Sequence, residues 1–326
     1  MFNGFSHTVI GASHITSGTV CQDSSVFRIY ENYSIAIVAD GHGSKKHFRS
    51  DKGSEMAVKA ALDAVSAFYK NPEAFEESFM NDPDGVIKKI EKNIISRWNR
   101  LVIHHYIRNP YTDKERSKFT EKEFRRIKVE TVYGTTLIVA VMGRKFTFGT
   151  QIGDGSLVII CEDAFAEMPI AYEESAPANI TASMCNSQAI NHFHSFYAIE
   201  DKPIAVFVST DGLYTSFRSD EDFLDYHSIL ANQLVKIDAF SPSIRKNLSK
   251  RAQSGTQDDT SLACVFDCEM LAEKLEDLTE QVEVNKIHAS IRKAEHKARM
   301  EKQRLKNSMN ISHYETEENL FRQDSE

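Results

Sequence analysis

Ile35-Ala36-Ile37-Val38-Ala39-Asp40-Gly41-His42-Gly43 is an apolar run that stops at an acid, two glycines and a histidine. Small and β-branched apolar residues bounded by glycines form a buried strand that enters a tight turn. Asp40 therefore stands at a strand end, where a rigid sheet presents its carboxylate. Gly41 lets the main-chain carbonyl approach a ligand with no Cβ in the way. The design recurs at Ala205-Val206-Phe207-Val208-Ser209-Thr210-Asp211-Gly212. Gln257-Asp258-Asp259-Thr260 then sets two acids directly before the strand-like Ser261-Leu262-Ala263-Cys264-Val265-Phe266. Acids at several strand ends suit a hard divalent cation such as Mg²⁺ or Mn²⁺, which prefers carboxylate and carbonyl oxygens. No HExxH or CxxC pattern competes by suggesting zinc.

Six short motifs then occur in a fixed order: Cys21-Gln22-Asp23, Asp40-Gly41-His42-Gly43, Tyr133-Gly134-Thr135-Thr136, Gly153-Asp154-Gly155-Ser156, Ser209-Thr210-Asp211-Gly212 and Gln257-Asp258-Asp259-Thr260. Together they resemble the metal-dependent protein serine/threonine phosphatases of the PP2C (PPM) family over residues 6–268, closest to its bacterial branch. The resemblance implies an αββα sandwich of two antiparallel sheets flanked by helices. It implies two Mn²⁺ or Mg²⁺ ions bridged by Asp40, with Asp211 and Asp258 on one ion and the Gly41 carbonyl plus a water held by Asp23 on the other. A third, looser ion near Asp154 loses a ligand, because Thr215 stands where many members carry an acid. His42 matches the family's general acid, and Asp259 replaces a common asparagine, in a place to orient Asp258 or a bound water. Eukaryotic members grip the phosphate with an arginine; Gly18 occupies that place, which leaves the metals with Ser13 or His14 and no assigned phosphate-binding residue.

The chain has 326 residues, 41% hydrophobic and 26% charged, enough for one large core or two modest ones. No apolar run approaches the roughly 20 residues that cross a bilayer, and the first residues lack a leader pattern, so a cytoplasmic location is expected. Five irregularly spaced cysteines predict reduced thiols, with packing or surface roles. Of the net charge of −8, the stretch Lys286–Lys306 contributes +6, leaving an acidic body that argues against nucleic acid as a partner.

Period-two strands are predicted at 8–10, 25–30 and up to Asp40, with a polar loop at 11–23 in which His14 bonds to backbone. A helix capped by Ser50 follows, then one over 86–106. His104 and His105 are adjacent on that helix, about 100° apart, and so cannot share a metal. The glycine-separated runs 132–141, 145–152 and 156–160 predict an antiparallel meander. Strands, then helices, then strands give an α+β layered fold. Residues 162–203 fall where the family carries a flap, and 220–236 is a further helix. The domain is expected to end at 268. Residues 269–306 form a long charged helix with two short heptad seams, Leu271-Leu275-Leu278-Val282 and Val284-Ile287-Ile291-Ala294-Ala298, suited to a partner or to self-association. Residues 307–326 are a polar tail expected to be disordered.

The expected function is metal-dependent hydrolysis of phosphoserine and phosphothreonine in proteins that a serine/threonine kinase has modified. The alternative is a pseudophosphatase that keeps the fold and binds phosphoprotein without chemistry. The missing arginine and Thr215 favour it; the presence of Asp40, Asp211, Asp258 and His42 opposes it.

Overall fold

The computed structural model describes residues 1–170 and 181–323. Strand β1 (Phe2–Val9), the short helix α1 (Ala12–Ser17) and strands β2 (Ser24–Ile29) and β3 (Tyr33–Ala39) come first. Helices α2 (Ser50–Phe68), α3 (Pro72–Asn81) and α4 (Pro83–Arg108) follow, then three single turns, α5 (Asp113–Arg116), α6 (Glu121–Phe124) and α7 (Val129–Val132). Strands β4 (Leu137–Gly143), β5 (Thr147–Ile152), β6 (Ser156–Ile160), β7 (Ala166–Glu167), β8 (His194–Ala198) and β9 (Ala205–Ser209) lead to α8 (Asp211–Tyr214), α9 (Asp220–Gln233) and α10 (Ile237–Ser254). Last come β10 (Thr260–Asp267), α11 (Cys268–Glu273) and α12 (Leu275–Gln323).

Two antiparallel five-stranded sheets form, ordered β1-β10-β9-β6-β7 and β2-β3-β4-β5-β8. β3 is apolar from Ile35 to Ala39 because both of its faces are buried. Ile35, Ile37 and Ala39 join the core beneath α2 and α4, while Ala36 and Val38 meet Val206, Val208, Ala263 and Val265 of the other sheet. β10 divides the same way, with Leu262, Cys264 and Phe266 turned to the core under α9 and α10. Helix, sheet, sheet, helix is the expected αββα sandwich. Antiparallel pairing then sets alternate strand ends at one edge. Ser24 pairs with Ala39, so Asp23 and Asp40 leave the sheet together. Ser209 pairs with both Leu262 and Ser156, which brings Asp211, Asp258 and Asp154 to neighbouring ends of the other sheet.

Several expectations are corrected. The 11–23 stretch contains α1, closed by Gly18 in a left-handed conformation at φ 68°. Only β4 and β5 behave as a meander: at Gly153, φ 108°, the chain leaves its sheet, and β6 pairs with β9 in the other one. Residues 132–136 are not strand, since α7 ends at Val132. Helix α10 was not anticipated; Pro242 lies inside it and breaks the sequence pattern. Of the expected flap, residues 171–180 lie outside the described residues, and part of the remainder is β8, which pairs with β5. The first compact unit spans Met1–Leu278. Leu271 and Leu278 of the first heptad seam are buried in its core, so they serve packing within the domain.

The second unit, residues 279–326, carries the rest of α12, which continues to Gln323 and so past 306, where a disordered tail was expected. The chain has no glycine after Gly255 and no proline after Pro242, so nothing in the backbone halts helix propagation. Val284, Ile287 and Ile291 of the second seam are exposed.

Two close contacts lock α2 over the site. Gly53 has no space for a Cβ, which would overlap the Tyr133 carbonyl, and its own carbonyl accepts from Trp98 Nε1 at 3.0 Å. Arg49 is buried, and its Nε and Nη2 hold Glu115 at 2.6 and 2.9 Å while Nη1 reaches the Asn109 carbonyl at 2.6 Å. Overpacking a filled core costs about 1–3 kcal/mol. Gly53→Ala is therefore expected to lower the thermal midpoint by several degrees, measured by circular dichroism; an unchanged midpoint would show that Tyr133 yields freely.

Candidate metal centre

The Asp40 backbone is clamped. Its carbonyl accepts from Thr136 N at 2.8 Å and Thr135 Oγ1 at 2.7 Å, and its N–H donates to Thr136 Oγ1 at 3.0 Å. His42 N–H donates to the Gly134 carbonyl at 3.1 Å. The Tyr133-Gly134-Thr135-Thr136 motif thus fixes the turn that carries Asp40 and His42. Gly41 is required for a reason the sequence did not give: a Cβ there would lie 2.6 Å from the Ser50 carbonyl and 2.7 Å from that of Gln22. Crowding by the protein itself, as well as access to a ligand, demands glycine.

Carboxylate oxygens of Asp40, Asp154 and Asp211 come within 4.8 Å of one another. Asp154, expected near a third ion, belongs to this group, where Thr181 Oγ1 donates to it at 2.7 Å. Asp258 and Asp23 stand outside that trio but close enough to act on Asp40 electrostatically. Burial, then the charges of Asp23, Asp211, Asp258 and Asp154, push the Asp40 carboxyl well above its ordinary range. Asp211 rises to about 6, through burial first and Asp154 next. Asp23 is also raised by burial; Thr210 Oγ1 donates to its Oδ2 at 2.8 Å, while its Oδ1 is buried with no hydrogen bond among the described residues. An all-oxygen group of crowded, partly unsatisfied carboxylates fits a hard divalent cation.

Asp259 holds the surrounding segments together. Its Oδ1 accepts from Gly11 N at 2.8 Å, its Oδ2 from Gln22 N at 2.6 Å, and His14 Nδ1 lies 2.8 Å from Oδ2. His14 thus meets this carboxylate and not backbone, a correction to the loop reading. The Asp259 N–H, not its side chain, donates to Asp258 Oδ1 at 2.8 Å. Gln257 before it takes a left-handed φ of 65°, a small local strain at the turn into Asp258.

The cleft over these acids encloses about 800 Å³. Ser13 and His14 line it, although Ser13 Oγ already donates to the Gln257 carbonyl at 2.6 Å. Lys46, which sequence reading passed over, is the one lysine or arginine among the described lining residues. Its place three residues after Gly43 was the available signal. Burial, then His47 and Lys46, lower the His42 imidazole to about 4. The His47 ring stands 4.9 Å from that of His42 and is fixed through Nδ1 to the Thr131 carbonyl.

The sequence profile of the protein phosphatase 2C family matches residues 10–250. The chain belongs to this family. Known structures agree on the fold at low identity. The Streptococcus agalactiae serine/threonine phosphatase is 17% identical, with a TM-score of 0.51 over 82% of this chain and 99% of that one. PppA, a regulatory component of the T6SS in Pseudomonas aeruginosa, is 15% identical, with a TM-score of 0.51 over 81% and 97%. A C. elegans sex-determining protein is 14% identical, with a TM-score of 0.51 over 84% of this chain and 67% of its own. Among curated protein sequences none matches.

In the metal-free protein a carboxyl raised in the folded state stabilises the fold below its unfolded pKa of about 4, and that contribution is lost as pH rises through the folded value. For Asp211 the window is about 4 to 6. Thermal scans of the EDTA-dialysed protein should therefore show Asp211→Asn more stable than the native chain at pH 7.5, by on the order of 2 kcal/mol, with the gap closing below pH 4. Added Mn²⁺ should raise the midpoint of the native chain and not of the variant. A variant less stable at pH 7.5 would show that the carboxylates are not crowded in solution.

Proposed function

We propose that this PP2C-family chain removes phosphate from phosphoserine and phosphothreonine of proteins, with Mg²⁺ or Mn²⁺ as cofactor. The observation that carries the reading is the Asp40, Asp154 and Asp211 group at the shared sheet edge. Asp40, Asp211, Asp258 and the Gly41 carbonyl would hold two ions, with Asp23 holding a bound water and Asp154 at the position of the looser third. When bound, the ions lower the pKa of a shared water and neutralise the phosphoryl oxygens.

The remaining work falls to the chain's own side chains. Lys46 offers its charge to the phosphate at the cleft, in place of the arginine that Gly18 lacks. His42, neutral near pH 7 in the free site, regains a proton when a phosphate dianion lies beside it, because a nearby negative charge favours the imidazolium. It then gives that proton to the departing serine or threonine oxygen. His47 and the Gly134 carbonyl keep His42 in place. The substrate on this reading is the product of a serine/threonine kinase. Five free cysteines support a reducing, cytoplasmic setting on this reading. The exposed seam Val284, Ile287 and Ile291 supports a partner or a second copy on the basic helix.

Hydrolysis of a phosphothreonine peptide should require Mn²⁺ or Mg²⁺, stop with EDTA, and disappear in Asp40→Asn and Asp211→Asn. Loss of His42 should cost about 10²–10⁴-fold in kcat. Lys46→Ala should lower kcat/KM by roughly 10- to 100-fold, the worth of a charge-assisted hydrogen bond. A folded protein inactive with either metal would replace this reading with a phosphoprotein-binding role.

A further inference from the structure

The acidic cleft adjoins a second groove, and a third depression lies on the neighbouring face of a helix that lines that groove. The acidic cleft and a neighbouring groove share Cys185 and Asn186 in their walls. Helix α4 also lines that groove, through Ile95 and Asn99. The next residues along the helix, Ser96 and Arg100, belong to a shallow depression completed by Lys89, Lys92, Asn93 and Arg97. Lys88 ties the two sides together: its Nζ donates to the Ile190 carbonyl at 2.6 Å and pairs with the buried Glu91 at 3.1 Å.

The outer depression has four cations and no acid. Lys89 and Lys92, and again Arg97 and Arg100, are three residues apart, which sets each pair on one helical face, where like charges repel and weaken the helix. Among the described residues Lys88 is the one cation of α4 with a carboxylate partner; Arg97 bonds only to the neutral Asn93, at 2.6 Å. Lys89, Lys92 and Arg100 are exposed. This face lies on a chain of net charge −8 whose cleft is lined by carboxylates. An anionic protein meets repulsion over the acidic cleft and attraction on this face, so the face draws in and orients it. Lys128 and Glu130 also line the connecting groove, which is mixed in charge, so the selective part is the α4 face.

We infer that α4 docks an acidic segment of the phosphoprotein substrate, which runs through the Cys185–Asn186 groove to the phosphorylated residue in the cleft. This rests on the phosphatase reading above and adds the substrate class: phosphoproteins with a run of Asp or Glu to one side of the phosphorylated residue. The acidic run supplies the charge partners that α4 lacks. The groove fixes which side of the phosphoresidue it occupies.

The test uses the full chain and the charge-reversed variant Lys89→Glu/Lys92→Glu/Arg100→Glu, whose positions are exposed and outside the core. Fluorescence anisotropy of a labelled acidic peptide without phosphate reads docking alone. Binding that weakens about tenfold or more in the variant, and in the native chain as salt rises, is expected. Hydrolysis of phosphothreonine peptides with an acidic run before, after or absent from the site reads the coupling. The native chain should prefer one of the two acidic arrangements, chiefly through KM, and the ratio to the neutral peptide should fall towards one in the variant. Equal binding by both proteins, or an unchanged peptide preference in the variant, would overturn the inference. So would co-sedimentation of the native chain with phosphatidylserine vesicles without peptide binding, which would assign the face to a membrane. Absence of hydrolysis with all three peptides, with charge-dependent peptide binding intact, would instead count against the phosphatase reading alone.

Discussion

Like charges crowded at one sheet edge set the terms for this fold. Unit charges held within 4.8 Å of one another repel by about 3 kcal/mol or more at an effective dielectric near 20. That is a large part of the roughly 5–15 kcal/mol that holds a domain together. The carboxylates can stay together only if protons or cations offset the repulsion and the backbone beneath them cannot relax. The first condition appears as the upward shifts of Asp40, Asp23 and Asp211. The second is met by three apolar layers, one between the sheets and one under each helical layer, that leave strand ends little freedom.

Rigidity also comes from polar ties that cross long stretches of sequence. Asp259 binds residues 11, 14 and 22 from the far end of the domain, and Thr135 and Thr136 hold Asp40 across about 95 positions. Neither tie touches the proposed reaction directly. Each places a backbone segment so that a neighbouring carboxylate points into the cleft. The motifs that recur in this family thus divide into donors for the cleft and clamps that carry them.

Much of this was legible in the sequence for physical reasons. Acids after runs such as Ile35–Ala39 and Ala205–Ser209 announce strand ends, because only a strand buried on both faces reads as unbroken apolar sequence. The layered α+β class followed from the alternation of periods. What was not legible depends on three-dimensional neighbours. Nothing in Gly153-Asp154-Gly155 says that the chain changes sheets there, and so nothing ranked Asp154 with Asp40 and Asp211. Helix α10 was hidden by Pro242. Leu271 and Leu278 have coiled-coil spacing, and only the core beneath shows that they complete the domain. Lys46 and the α4 face carry no motif; each gains meaning from what it stands beside.

The pairing of β1 with β10 has a consequence for the making of the protein. Val9 faces Thr260 in that ladder, so the first strand of the domain waits while about 250 further residues are added, on the order of 10–50 s at ~5–20 residues per second. During that interval β1 has an open backbone edge, the kind of surface that invites wrong partners. The Asp258-Asp259 turn arrives together with β10, so the cleft closes and its last carboxylates enter in one late step. A chain cut before β10 therefore holds Asp40, Asp154 and Asp211 without Asp258 and without the ties that Asp259 makes to residues 11, 14 and 22.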